Sequence, residues 1–231
     1  MYHVSVPTKT KPRPVETIFG SIDFKDIESE SNYMLDNHTM FGIVNDDRDS
    51  STFFLRNLDI DQQQNFGHVT RGLPEKYDEL ILSRKLTYMQ ASSAIKPDRT
   101  KIASVSYFSP YISVISTDGD EKRTVSVEDI NSNYKVDNAN FEEKLRTVFE
   151  SVSVTDKYIY VVYNDQVNEE VAEIGKPVEI WVFDWDLNPV RRFAVNEYIL
   201  SMGVSLDDLE LIGIDYTEEK IYRYRLPDEI Y

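Results

Sequence analysis

Short runs of alternating apolar and polar residues, broken by acidic turns, recur along most of this chain. A two-residue period puts successive side chains on opposite faces of a strand, so the runs read as strands rather than helices. They fall into groups. "MFGIVND" (40–46), "TFFLRNLD" (52–59) and "QQNFGHV" (63–69) form the first, and "TKIASVSY" (100–107), "YISVIST" (111–117) and "KRTVSVE" (122–128) the second. "ESVSVT" (150–155), "KYIYVVYN" (157–164), "VEIWVFDW" (178–185) and "PVRRFAVN" (189–196) form the third; "YILSMGVS" (198–205), "LELIGIDY" (209–216) and "KIYRYRL" (220–226) form the fourth. Asp46-Asp47-Arg48-Asp49, Thr117-Asp118-Gly119-Asp120, Asp186-Leu187-Asn188-Pro189 and Thr217-Glu218-Glu219-Lys220 supply turn chemistry between strands.

Recurrence at about forty to fifty residues, with roughly four strands per unit, is the mark of β-propeller blades. A single four-stranded blade cannot bury both of its faces and needs a neighbour on each side. The expected fold is therefore all-β, a propeller of four-stranded antiparallel blades, of which the chain shows about four to five. In "EIWVFDWDLNPVRRF" (179–193), parity sends Trp181, Phe183 and Trp185 to one neighbouring blade and Ile180 and Val182 to the other. Trp181 is expected to lie deep in that interface, with Asp184 and Asp186 dispensable turn residues. Two segments read as helices: Ala139–Val152, with Phe141, Leu145, Val148 and Phe149 at helical spacing, and more weakly Glu75–Lys85. Residues 1–32 form an N-terminal segment placed to supply a closing strand, and 33–231 the propeller domain.

Charge limits the partners. The sequence has 41 Asp and Glu against 25 Lys and Arg, a net charge of −16. Such a chain repels phosphate backbones and anionic bilayers, so nucleic acid is not an expected partner, and membrane association would need a lipid anchor outside this chain. With no cysteine, thiolate catalysis, disulfides and Cys-ligated metals are excluded. No run approaches the eighteen apolar residues of a membrane-crossing helix.

No catalytic set is legible. The Gly-x-Ser-x-Gly elbow of α/β-hydrolases and phosphate-cradling glycine loops are absent. His3, His38 and His68 lie far apart and read as loop and strand residues, and Arg71 as a residue ordering its own loop. Asn45, Asp46, Asp47 and Asp49, Asp59 and Asp61, Asp118, Asp120 and Glu121, and Asp184 and Asp186 offer carboxylates, none at the spacing of a calcium loop. They read as turn residues. No catalytic, cofactor or metal residue is therefore assigned, and no cofactor is expected.

"IKPDRTKIASVSYFSPYISVISTDGDEKRTVSV", "SVSVTDKYIYVVYN", "VEIWVFDWDLNPVRRF" and "YTEEKIYRYRLP", in that order, resemble the TolB-like six-bladed β-propeller family, in which a "pdg-kia" blade is followed by "t-dkyIYvly", "iyvFdwdG-pv-r" and "iY-y-lp". Upstream, Gly67, Gly72, Pro74 and Glu75 in "NFGHVTRGLPEKY" match its "fG--G-GP-E" segment. The resemblance covers most of residues 33–227. Asn188 stands where the family's turn has glycine, which Asn's tolerance of left-handed backbone allows. Six blades would need on the order of 270 residues, and the shortfall lies between Gly72 and Ile95, where the family's order has one or two further blades but only about twenty residues intervene: either the propeller is a genuinely shorter one or an internal segment is absent.

The resemblance implies an exported protein, in the periplasm or on the outer surface of a Gram-negative bacterium, with its signal sequence and any lipid-bearing cysteine outside this chain. It implies a non-catalytic binding or scaffold module for a peptide, glycan or protein. The alternative is a calcium-dependent propeller hydrolase of the lactonase or gluconolactonase type, whose Glu, Asn and Asp ligands would converge on the central channel.

Overall fold

A computed structural model describes residues 29–46, 50–67, 77–88, 90–119, 121–127, 137–167, 177–215 and 218–226. Their strands form four antiparallel meander sheets. The first sheet holds β1 (Ser29–Met34), β2 (Thr39–Asp46), β3 (Ser50–Asn57) and β4 (Gln62–Phe66). The second holds β5 (Ala91–Ile95), β6 (Lys101–Ser106), β7 (Tyr111–Ser116) and β8 (Lys122–Ser126). The third holds β9 (Arg146–Val154), β10 (Tyr158–Val167), β11 (Val178–Asp184) and β12 (Pro189–Val195). The fourth holds β13 (Ser201–Val204), β14 (Glu210–Asp215) and β15 (Lys220–Arg225). These are propeller blades, and no closed barrel forms among them.

The blades stack in chain order through apolar faces. Phe41, Ile43, Phe53 and Phe66 of the first meet Ala91, Ile102 and Ile115 of the second. Ala103, Val105, Ile112 and Val114 of the second meet Val148, Phe149, Val161 and Phe183 of the third. Tyr160, Val162, Ile180 and Val182 on the opposite face of the third meet Ile199, Met202 and Leu211. The parity of 180–185 is as the alternation requires. Gly213 makes the last contact close: a Cβ there would stand 2.3 Å from the Ile199 Cδ1 atom. The first and second blades touch directly, Ile115 reaching to Gly67 and Phe66 to Gly119. Among the described residues no blade intervenes between them.

Two inner strands, β1 and β5, have no counterpart in the sequence reading. Their segments "SESNYM" and "ASSAI" are polar or small and carry no apolar alternation. The reason is their position. β5 lies against β9, and β9 against β13, so the first strands converge and leave little room for large side chains. Serine also fills a need there, because an inner strand has a free backbone edge. The Val152 N–H donates to the Ser92 hydroxyl at 3.3 Å, and the Met202 and Val204 N–H groups donate to Ser151 and Ser153 at 3.4 and 3.0 Å. Each hydroxyl comes from the preceding blade, so serine stitches blade to blade.

The helix expected over 139–152 is only one turn, α2 (Phe141–Lys144), after which the chain becomes β9. Tertiary demand overrides the helical spacing: Val148 and Phe149 are needed on the face toward the second blade. The weaker helix at 75–85 is displaced to a 3-10 turn at Tyr77–Glu79 and α1 (Leu82–Tyr88). Tyr77 and Leu80 pack on Phe141 and Leu145. Asn138 ties the two segments, accepting from the Ile81 N–H at 3.1 Å and donating to the Glu79 carbonyl at 2.6 Å.

Candidate functional site

The carboxylates singled out in the sequence lie, where they are described, in turns or at the strand ends beside them, Asp46 closing β2 and Asp184 closing β11. Asp184 accepts from the Asp186 N–H at 2.9 Å, the Asn188 N–H at 2.8 Å and the Asn188 side-chain amide at 2.9 Å. Burial raises its pKa, but these hydrogen bonds outweigh that and hold the carboxyl below its ordinary value. The left-handed residue of this turn is Leu187, φ 60°, and not Asn188. A non-glycine residue in that conformation needs the turn held around it. Asp184 is thus not dispensable: Asp184→Ala is expected to lower stability by about 1–2 kcal/mol, measured by urea denaturation, while exposed Asp186→Ala stays near zero.

His38 is exposed and pairs with Asp59, its Nδ1 lying 3.0 Å from Oδ1, which raises its pKa. Asp61 pairs with Arg56. Asp118 accepts from the Ser116 hydroxyl. His3, His68, Arg71, Asp47, Asp49 and Asp120 lie outside the described residues. Among the described residues, no group of three or more His, Asp or Glu comes together as metal ligands would.

Two features of the structure were not among the sequence candidates. The first is a groove of about 560 Å³ between the outer parts of the second and third blades. Val125, Val127, Trp181 and Phe183 give it an apolar floor, and Arg191 and Arg192 stand along it. Next to it, Trp185 shares a hollow with Lys101, Lys122, Arg123, Glu121 and Asp186. The groove exists because β8 is short and largely exposed, so the blades part at their outer strands. Trp181 is accordingly half-buried and not deep in the interface as expected. Its ring stacks on Tyr163 at 4.2 Å between centroids, and its Nε1 donates to Glu179 Oε2 at 2.7 Å. Phe183 takes the deep position, 4% exposed.

The second feature is a polar cluster between the inner parts of the third and fourth blades. Asn164 on β10 donates through Nδ2 to Glu150 Oε1 on β9 at 2.7 Å and to the Tyr198 hydroxyl at 3.4 Å. Asn164, Gln166, Tyr198 and Asp215 are all buried. Asp165 between the two amides has φ 52° and is turned outward to Arg146. The register of β10 on β9 shifts there, a bulge, and residues 164 and 166 are buried while 165 is exposed. Burial pushes the Glu150 carboxyl up to about 7, although the Asn164 amide pulls it down. Burial, with the nearby charges of Glu150 and Asp215, raises Tyr198. The carbonyl oxygens of Asn164 and Gln166 have no hydrogen-bond donor among the described residues. The sequence signal was a strongly apolar strand, "KYIYVVYN", that runs on into the two amides of "NDQ".

No curated protein matches this chain. Among solved structures, it is similar to a functionally unknown protein from Desulfotomaculum acetoxidans, with a TM-score of 0.50 at 13% identity over 81% of this chain and 47% of that one. It is similar to Kuenenia stuttgartiensis hydrazine synthase with a TM-score of 0.50 at 11% identity, over 84% and 57%. The chain thus spans about half the length of these structures, and at such identity the likeness concerns the fold alone, which is that of propeller proteins. Residues 115–207, the end of the second blade through the first strand of the fourth, match the sequence model of the family described as TolB-like 6-blade propeller-like. The chain is therefore a β-propeller protein whose residues 115–207 carry the TolB-like family's pattern.

Proposed function

We propose that this chain is a non-catalytic binding module of an exported protein, and that it seats an extended, acidic peptide segment of a partner in the groove between the second and third blades. The observation that carries the reading is the composition of that groove. In a chain of net charge −16, Arg191 and Arg192 line the groove beside Trp181, and Lys101, Lys122 and Arg123 outnumber Glu121 and Asp186 in the hollow beside Trp185. An apolar floor with a cationic margin suits a segment that alternates apolar and acidic side chains. β8 is the outer strand of the second sheet, the position at which a partner strand adds to a sheet. The TolB-like match supports a periplasmic or outer-surface setting, which fractionation of cells expressing the full-length gene product tests.

Selection of a displayed random-peptide library on the purified protein tests the binding reading. The expected winners are rich in Asp or Glu with interspersed aliphatic or aromatic residues. Reversing the exposed charges, Lys122→Glu with Arg123→Glu, should weaken them about tenfold at low salt, with the effect shrinking as salt screens the charges. Basic or neutral winners, or winners indifferent to the reversal, would remove the groove as the site.

A further inference from the structure

We propose that the cleft between residues 205–209 of the fourth blade and the outer part of the third blade binds one pyranose ring, as a free hexose or as a unit of a glycan. The cleft measures about 240 Å³. Its walls come from three places: Lys157 and Tyr158 where β10 begins, Arg191 and Phe193 on β12, and Asp207 and Asp208 between β13 and β14. Tyr158, Tyr160 and Phe193 belong to the face of the third blade that packs on the fourth. The carboxylates are held in place. Tyr160, 3% exposed, donates its hydroxyl proton to Asp208 Oδ1 at 2.9 Å. Asp207 accepts from the Ser205 hydroxyl at 2.6 Å and from the Leu209 N–H at 3.2 Å. Lys157 lines the same cleft, yet neither it nor Asp207 nor Asp208 has an ion-pair partner among the described residues.

Size, charge and surface together select the ligand. A cavity of about 150 Å³ holds one benzene ring, so this one has room for a six-membered ring with its hydroxyls. Lys157 and Arg191 balance Asp207 and Asp208, which favours a neutral ligand over an anion or a cation. The charged heads offer donors and acceptors, while the rings of Tyr158 and Phe193 are only partly buried and offer apolar surface. Water satisfies the heads but not the rings. A pyranose has hydroxyls that both donate and accept, and a face of C–H groups that packs on an aromatic ring. A carboxylate that accepts from a sugar hydroxyl makes a charge-assisted hydrogen bond, roughly twice as strong as a neutral one. A zwitterion such as an amino acid is neutral as well, but both of its charges must leave water, whereas hydroxyls leave it at far smaller cost. Arg191 also lines the peptide groove, whereas Lys157, Asp208 and Phe193 do not, so the two sites can be tested apart.

Saturation-transfer NMR on the purified protein tests the site, with the methyl pyranosides of glucose, galactose, mannose and N-acetylglucosamine as probes. At least one is expected to give saturable transfer in the millimolar range, strongest at the ring C–H protons. Asp208→Asn, which keeps the shape and removes the charge, should weaken it at least tenfold, and Phe193→Ala at least fivefold. Both side chains are partly exposed, and a far-UV circular dichroism spectrum like that of the parent shows that each variant folds. Arg192→Ala, in the peptide groove alone, should leave the sugar unaffected. Raising NaCl from about 0.05 to about 0.5 M should change its affinity less than twofold, because the ligand carries no charge to screen. Absence of saturable transfer from all four probes, or transfer that survives both Asp208→Asn and Phe193→Ala, would overturn the proposal. So would Asp208-dependent transfer from glycine with none from the sugars, which would make the ligand a zwitterion.

Discussion

Phe183→Ala is expected to lower the stability of this protein by about 3–5 kcal/mol, the usual cost of truncating a buried aromatic side chain. Phe183 is 4% exposed and fills the joint between the second and third blades, among Val105, Val114, Val161 and Leu187. Blades of this kind have no core of their own, so a void at a joint weakens both neighbours at once. For a domain of this size each kcal/mol lowers Tm by about 2–4 °C. Trp181→Ala, although it removes a larger ring, should cost about half as much. One side of Trp181 faces the groove, and its stack on Tyr163 leaves no sealed cavity when the ring is cut back. Denaturation of the two variants in urea checks the order. A larger loss from Trp181 would show that the groove is closed in solution.

The second large effect is a fall in stability as pH rises from about 5 to 7. The sign follows from Glu150. In the unfolded chain its carboxyl has the ordinary value of 4.5, while in the folded protein it is held at about 7. Between those values the folded state keeps a proton that the unfolded state has lost, so stability declines across the window and levels off above it. At about 1.36 kcal/mol per tenfold difference in proton affinity, the decline amounts to about 3 kcal/mol. Asp98, held at about 2 by hydrogen bonds from Lys96 and Thr100, contributes with the opposite sign, but in the acid range below pH 4. The pH dependence should therefore be compared with that of Glu150→Gln. That variant keeps the hydrogen-bonding shape without the titration, and its curve should lack the fall. Parallel curves for the two proteins would show that Glu150 is solvated in the folded state.

The sequence by itself determined the blades. Two-residue alternation in "FFLRN", "YISVIS", "YIYVVY" and "EIWVFD" defines strands that must be covered on both faces. Parity alone assigned Phe183 to one neighbour and Ile180 and Val182 to the other. These patterns are legible because burial of alternate side chains is a local constraint, repeated strand by strand. The inner strands were legible only in part: "ESVSVT" and "YILSMGVS" read as strands, whereas β1 and β5 did not. Their burial comes from neighbouring backbones, and serine meets that demand through hydroxyls that reach across to the next blade, as Ser92 does to Val152 and Ser153 to Val204. The segment 146–154 shows the conflict most sharply, since its side chains recur at helical spacing and yet the third sheet takes them as a strand. The candidate sites belonged wholly to the tertiary structure. Trp181 looked like core until the shortness of β8 left it at the margin of a groove. Glu150, Asn164 and Tyr198 come from two strands and a loop, and only the tertiary fold brings them together. One-dimensional periodicity reports which face of a strand is covered. Which polar groups meet, and which of them are left without a donor, is decided by packing between blades.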